Sequence, residues 1–333
     1  MSKPLPTAAA PAPGQGRRDV CAALDLGTNN CRLLVARRRG EGFHVIDAFS
    51  RIVRLGEGLA GSGCLSEPAM ARTIEALKIC AGKVARSGAA RARYVATEAC
   101  RRAANCPDFL TRVRSDTGIL LEIIGAEEEA RLVVAGCAPL LVADLPYALI
   151  FDIGGGSTEL VWLRLEDGAP VIESSLSVPH GVVTLADRYG GRAVSQTIYA
   201  AMVEEMRAAM TGFAEAHDAA AHIAAGEVQL LGSSGTVTTL AGVHLDLPRY
   251  DRSRVDGCEL SFDDISGASR LLAGLSWADR AAHPCIGEER ADLVLGGCAV
   301  LEAICKLWPV GRLVVADRGI REGILLNFFR SRF

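Results

Sequence analysis

The chain repeats itself. The segment LDLGTNNCRLLVARRRGEGFHVI, starting at Leu24, lies over FDIGGGSTELVWLRLEDGAPVI, starting at Phe151, at a constant offset of 127 residues. Asp25 falls on Asp152, Gly27 on Gly154, Asn30 on Ser157, Leu33 on Leu160 and Val45 on Ile172. Each copy reads as an apolar strand, an Asp-x-Gly turn, a second apolar strand, a polar turn (38–42 or 166–168) and a third strand. A chain with such an echo is expected to fold as two similar lobes.

The segments between and after the copies are helical in pattern. SEPAMARTIEALKICAGKVAR predicts a helix with Ser66 as N-cap and Pro68 in its first turn, placing Met70, Ile74, Leu77 and Val84 on one face. EEEARLVVAGC opens another, after a short strand LLEII, with its acids where the helix dipole favours them. Beyond the second copy come a long helix SQTIYAAMVEEMRAAMTGFAEA, a strand-turn-helix VQLLGSSGTVTTLAGV, a helix ERADLVLGGCAVLEAICKL and a last strand RLVVAD running into RGIREGILLNFF. Strands alternate with helices, the mark of α/β lobes with mixed sheets. The 333 residues suit two domains of roughly 150 residues, which leaves room for a cleft.

Composition narrows the function classes. A net charge of −3 gives no bulk attraction to nucleic acid or to a membrane surface, and neither is expected as a partner. Eleven cysteines, an odd number without a CxxC pair, read as reduced thiols of a cytoplasmic protein, with no zinc spacing among them. No apolar run reaches the roughly 18 residues of a membrane span. Residues 1–18, rich in Pro, Ala and Gly and lacking a hydrophobic signal core, are expected to be a disordered leader.

Three glycine-rich turns, DLGTNN, DIGGGST and GSSGT, each follow an apolar strand. Glycine brings backbone N–H groups close to a ligand, and successive N–H groups make a nest for anions, phosphate above all. The candidate phosphate-binding residues are Gly27, Thr28, Asn29 and Asn30 in the first copy, and Gly154, Gly155, Gly156, Ser157 and Thr158 in the second. No G-x-x-x-x-G-K-[ST] occurs, and no G-x-G-x-x-G opens a helix, so the grip belongs to hairpin turns. Asp25, Asp152 and Glu159 bracket the two turns and are candidate ligands for Mg²⁺ or Mn²⁺, which take carboxylates and waters beside phosphate. The plainer reading of an Asp before Gly is an Asx turn. Arg101 and Arg102 follow the strand-like RYVAT, and one of them pointing inward would offer forked donors to phosphate; residues 37–39, three arginines at a hairpin tip, read as solvated.

DLGTNNCRLLVA, VATEACRRAAN, EIIGAEEEARL, FDIGGGSTEL, LGSSGTVTTLA and VVADRGIREGIL, in this order, resemble the exopolyphosphatase/guanosine pentaphosphate phosphatase family over about residues 19–330. That resemblance implies two ribonuclease-H-like lobes of the actin and sugar-kinase superfamily around a central cleft. Lobe I would span 19–128 with 318–333, and lobe II 129–317. It also implies Mg²⁺-dependent hydrolysis of a terminal phosphoryl group and a homodimer. By position, the family's catalytic glutamate falls on Glu129, its motif arginine on Arg101, and the carboxylates of its D-I-G-G-G-S-T-E-L motif on Asp152 and Glu159. Asn30 stands where a serine is commoner, and Thr184 where many members have arginine. His217–Asp218 lacks the companion ligands of a metal site.

The expected activity is release of orthophosphate from inorganic polyphosphate, with guanosine pentaphosphate as the alternative substrate. The chain's short form, ending at Phe333, favours shorter polymers or nucleotides in this reading. Two rivals share the lobes and loops: an ATP-dependent phosphotransferase, which would need an adenosine pocket beside GSSGT, and an alarmone sensor without turnover. A sensor has no use for a water-positioning acid such as Glu129.

Overall fold

A computed structural model describes residues 19–40 and 42–330; the expected leader, 1–18, lies outside the described residues. β1 (Val20–Leu26), β2 (Asn30–Arg39), β3 (Gly42–Ile52), β4 (Arg91–Ala96) and β5 (Glu122–Ile123) form one sheet in the order β3-β2-β1-β4-β5. β6 (Tyr147–Ile153), β7 (Thr158–Glu166), β8 (Ala169–Val178), β9 (Val228–Ser233), β10 (Glu259–Ser261) and β11 (Arg312–Ala316) form the other, in the order β10-β11-β9-β6-β7-β8. In each, an antiparallel three-strand meander is extended by a parallel strand beside its first strand, β4 beside β1 and β9 beside β6. The two mixed sheets with helices are the fold expected from the sequence.

The echo is reproduced hydrogen bond by hydrogen bond. Asp25 pairs with Arg32 and Leu26 with Cys31; 127 residues on, Asp152 pairs with Glu159 and Ile153 with Thr158. The Gly27 N–H donates to Asn30 O at 2.9 Å, and the Gly154 N–H to Ser157 O at 2.9 Å. Even the irregularities match: β2 bulges between Val35 and Ala36 against β3, and β7 between Trp162 and Leu163 against β8. A bulge adds one unpaired residue and sharpens the local twist, so both hairpins bend at the same distance from their turns.

The helix predicted after Ser66 runs Glu67–Ser87, capped by the Ser66 hydroxyl accepting from the Ala69 N–H at 3.4 Å, with Met70, Ile74 and Leu77 buried and Val84 half-buried. Two expectations shift. The strand LLEII shortens to Glu122–Ile123, both exposed at the sheet edge. The helix expected from ERADLV begins only at Val294, after a 3₁₀ turn at Glu288–Arg290. The intervening residues are committed elsewhere: buried Arg280 donates to Ala291 O at 3.1 Å, and Arg54 grips Asp292.

A third core joins the lobes. Ala23, Leu34 and Ala36 of the first sheet and Ala148, Ile150 and Val161 of the second pack around Leu132 and Val133 of the helix Ala126–Cys137 and Ile324 and Leu325 of the helix Ile320–Arg330. These two helices cross on glycine. A Cβ on Gly323 would lie 2.0 Å from Leu132 O, and one on Gly136 2.3 Å from Gly319 O, so no larger side chain fits without moving backbone. No described helix is long and apolar enough to cross a membrane, and all eleven cysteines are free thiols.

Candidate functional site

Where the two meanders face each other lies a cavity of about 910 Å³, its open mouth included. Its walls include Asp25, Gly27, Thr28, Asn29 and Asn30 from one hairpin and Asp152, Gly154, Gly155, Gly156 and Ser157 from the other, with Glu129 between them. The hairpins nearly touch. A Cβ on Gly155 would sit 3.1 Å from Asn29 N, and one on Gly156 2.7 Å from Thr28 Oγ1. Glycine is what lets two backbone turns approach a common ligand from opposite sides.

Several of the sequence candidates stand behind this surface. Thr158 is buried, its hydroxyl donating to His180 O at 2.8 Å. Glu159, 4% exposed, accepts at Oε1 from the Ser157 hydroxyl at 2.5 Å and the Ser177 hydroxyl at 3.0 Å. Arg101 stands behind Glu129: Nη1 donates to Glu129 Oε2 at 2.6 Å and to Ile124 O at 2.9 Å, while Nε and Nη2 donate to Glu98 Oε2 at 3.1 and 2.8 Å. Its fork is spent on carboxylates. Arg102 is exposed. Thr184 accepts from the Gly181 N–H at 2.8 Å, closing a helix start beside the second turn. His217 stacks on Trp162 with ring centroids 5.6 Å apart, far from any cluster of ligands.

The acids share a dry and crowded space. Burial pushes Glu129 up to about 8, aided by the charge of Glu159 and opposed by Arg101. Burial lifts Asp152 to about 7, with Glu129 adding to it, and lifts Glu159 to about 7 against the hydrogen bond from Ser157. Asp25 is raised too, burial outweighing Arg32 and Arg321. Neighbouring carboxylates raised together repel one another when ionised, and a cation between them would relieve that repulsion.

The donors suit a hard one. Asp25 Oδ1, Asn29 Oδ1 and Asn30 Oδ1 are buried with no hydrogen-bond partner, leaving three oxygen acceptors around the first turn. Among the described residues no three His, Cys, Asp or Glu side chains form a closed metal cage. Mg²⁺ does not need one, because it is commonly held by one or two carboxylates with substrate phosphates and waters completing its octahedron. Asp25 and Asp152, which reach the cavity, fit that mode; Glu159 is turned to serines.

The structure adds residues that the sequence reading did not single out. Arg32 and Arg290 also line the cavity, beside Ser234, Gly235 and Thr236 of the third glycine-rich turn, GSSGT, which the sequence had marked. Arg32 carried a signal: 127 residues on from it stands Glu159, so the repeat that located one located the other. Arg290 gave none, lying far along the chain in a helical pattern.

Comparison with known proteins returns a consistent result. The model of the Ppx/GppA phosphatase family matches residues 34–331. Exopolyphosphatase 2 of Mycobacterium tuberculosis (strain CDC 1551 / Oshkosh) is 30% identical over 325 residues, covering 92% of this chain and 97% of the relative. The crystal structure of a Ppx/GppA family member from Aquifex aeolicus superposes with a TM-score of 0.74 at 25% identity, over 92% of this chain and 96% of that one. An exopolyphosphatase from Cytophaga hutchinsonii superposes with a TM-score of 0.84 at 23% identity, over 94% and 99%, which speaks for the fold.

Proposed function

We propose, from the premise that the chain belongs to the Ppx/GppA phosphatase family, that it is an exopolyphosphatase releasing terminal orthophosphate from inorganic polyphosphate. The observation that carries this reading is the placement of Glu129: a buried carboxylate in the wall of a cavity whose other walls are two backbone turns. Turns built of amides hold phosphate oxygens without reading what the phosphate is attached to. A polymer of identical units needs no more.

Phosphoryl transfer to water has a loose transition state, so the protein's work is placing the water and meeting charge. Glu129 orients the water and takes its proton as the new P–O bond forms; the bond to the penultimate phosphate breaks, and the electron pair stays with the shortened chain. The turns 27–30 and 154–157 hold the terminal group from two sides. Arg101, tied to Glu129 at 2.6 Å, is a positioning residue that keeps the carboxylate aimed and partly ionised. Mg²⁺, when held by Asp25, Asp152 and substrate oxygens, supplies positive charge against the phosphates.

The test is phosphate release with Mg²⁺ from long polyphosphate, short polyphosphate and guanosine pentaphosphate. Faster release from a polyphosphate is the expected result; release from guanosine pentaphosphate alone would replace the substrate, and release from none would end the reading. A cytoplasmic homodimer belongs to the same proposal. Eleven free thiols support a reducing compartment, and light scattering of the purified protein reports the mass of the assembly.

A further inference from the structure

The Asp25 and Asp152 pair also borders a second cavity, of about 410 Å³ with its opening, to which neither phosphate-gripping turn contributes. Arg321 lines it. This side chain is half-buried. Among the described residues its guanidinium makes no hydrogen bond or ion pair. Glu322, next in the chain, is taken by Arg252 Nη2 at 2.9 Å and by the Gly319 N–H at 3.0 Å. Burial therefore depresses the Arg321 pKa, Glu322 opposing this and Arg32 adding to it. A guanidinium with five unused donors on a cavity wall is matched to the oxygens of an anion.

The rest of the wall says what that something is. Arg32 is a second cation without a hydrogen-bond partner among the described residues, and Gly235, the first residue of the ten-residue helix Gly235–His244, lines the cavity beside it. Asp25 Oδ1 is an acceptor without a donor. The remaining charges are occupied elsewhere: Asp317 accepts from the Tyr250 hydroxyl at 2.7 Å, and Arg318 Nε donates to Asp256 at 2.8 Å. Donors without acceptors thus share a cavity with an acceptor without a donor. Asp25 and Asp152 would hold Mg²⁺ during the reaction, so what this cavity offers a ligand is the two guanidiniums. Orthophosphate, the released product, presents oxygens that accept from both.

We propose that this cavity is an orthophosphate site, in which Arg321 and Arg32 donate to the phosphate oxygens. Resting on the exopolyphosphatase reading for the identity of the product, the site receives the released phosphate on a side of the aspartate pair that the turns do not occupy. The leaving group and the product then have separate places.

Inorganic phosphate is the probe. Calorimetric titration and the melting temperature of the ligand-free protein are followed for wild type, Arg321→Met and Arg321→Lys. Arg321→Met is expected to weaken phosphate binding about tenfold or more, the scale of a lost charge-assisted pair, with Arg321→Lys between. In turnover, phosphate inhibition of the wild type has a noncompetitive component against polyphosphate that Arg321→Met removes, with little change in KM. Equal phosphate affinity in wild type and Arg321→Met, or purely competitive inhibition in both, overturns the site. A crystal of the unaltered protein soaked in phosphate decides it independently of any variant: density within hydrogen-bond distance of Arg321 supports the site, and phosphate at the turns alone overturns it. Binding that depends on Arg321 in a protein that hydrolyses no polyphosphate would sink the exopolyphosphatase reading and leave the site standing; a polyphosphate hydrolase indifferent to Arg321 would do the reverse.

Discussion

Glu129 reaches the charged form only against burial and against Glu159, and its ion pair with Arg101 is what makes that form accessible. Replacing it with Gln keeps shape and removes the proton acceptor, so kcat should fall about a hundredfold or more while KM changes little. A near-normal kcat would remove Glu129 from the reaction. The same burial makes a prediction about stability without substrate. The folded pKa of Glu129, about 8, lies above its ordinary 4.5, and that of Asp152, about 7, above 3.8. Groups raised in this way bind protons more tightly when folded. Their contribution is complete below the unfolded values and disappears as pH rises through 7 and 8. Urea unfolding of the ligand-free protein should therefore give lower stability at pH 8.5 than at pH 5.5, and Glu129→Gln should flatten the slope. A slope of opposite sign would falsify the assignment of buried, proton-binding acids.

At the level of elements, the hairpins were legible and the helix crossing was not. A meander with an Asp-x-Gly turn is local in sequence: alternation sets the strands, glycine sets the turn, and the repeat gives Asp25 and Asp152 equivalent places at the ends of their strands before any coordinate. Gly136 and Gly323 read from sequence only as weak helix positions. Their purpose depends on a partner almost two hundred residues away, and nothing local records it. Arg101 shows the same limit: its motif located it beside the acids, but only packing revealed that Glu98 and Glu129 consume its donors. Gly323→Ala should cost about 1–3 kcal/mol, because the added methyl meets Leu132 backbone and not a flexible side chain. Leu132 lies one turn from Glu129 on the same helix, so the variant should also lower kcat. A melting temperature equal to wild type would show that the crossing relaxes more easily than the contact at 2.0 Å implies.

Across the whole molecule the lobes are also fastened beside the first turn, whose Asn29 O accepts from the Arg54 N–H at 3.0 Å. Arg54, after β3, grips Asp292 with both nitrogens, at 3.0 and 2.9 Å, and donates to Glu289 O at 3.0 Å. The backbone at Arg54 is left-handed, with φ of 47°, a conformation that an arginine adopts at some expense. The pair is partly exposed, 28% and 24%, so Arg54→Met should change global stability by no more than about 1 kcal/mol. Hydrogen exchange is the sharper measurement: amides of 287–293 should exchange faster in the variant, with those of β6 unchanged. Equal exchange at 287–293 would mean that the grip does not hold the lobes.

The matched hairpins have one difference that their shared geometry makes conspicuous. Opposite the first aspartate stands Arg32, and opposite the second, at the equivalent rung, stands Glu159. A frame with near twofold symmetry would treat both ends of a linear substrate alike. This one is handed: Arg32 lines the cavity from one rung, while Glu159 on the other is turned back to Ser157 and Ser177, so the two walls differ as the two faces of a ratchet tooth do. A polymer of identical units has no sequence to be read, but it does have an end, and a handed cleft in a symmetric frame is a simple means of taking units from that end one after another.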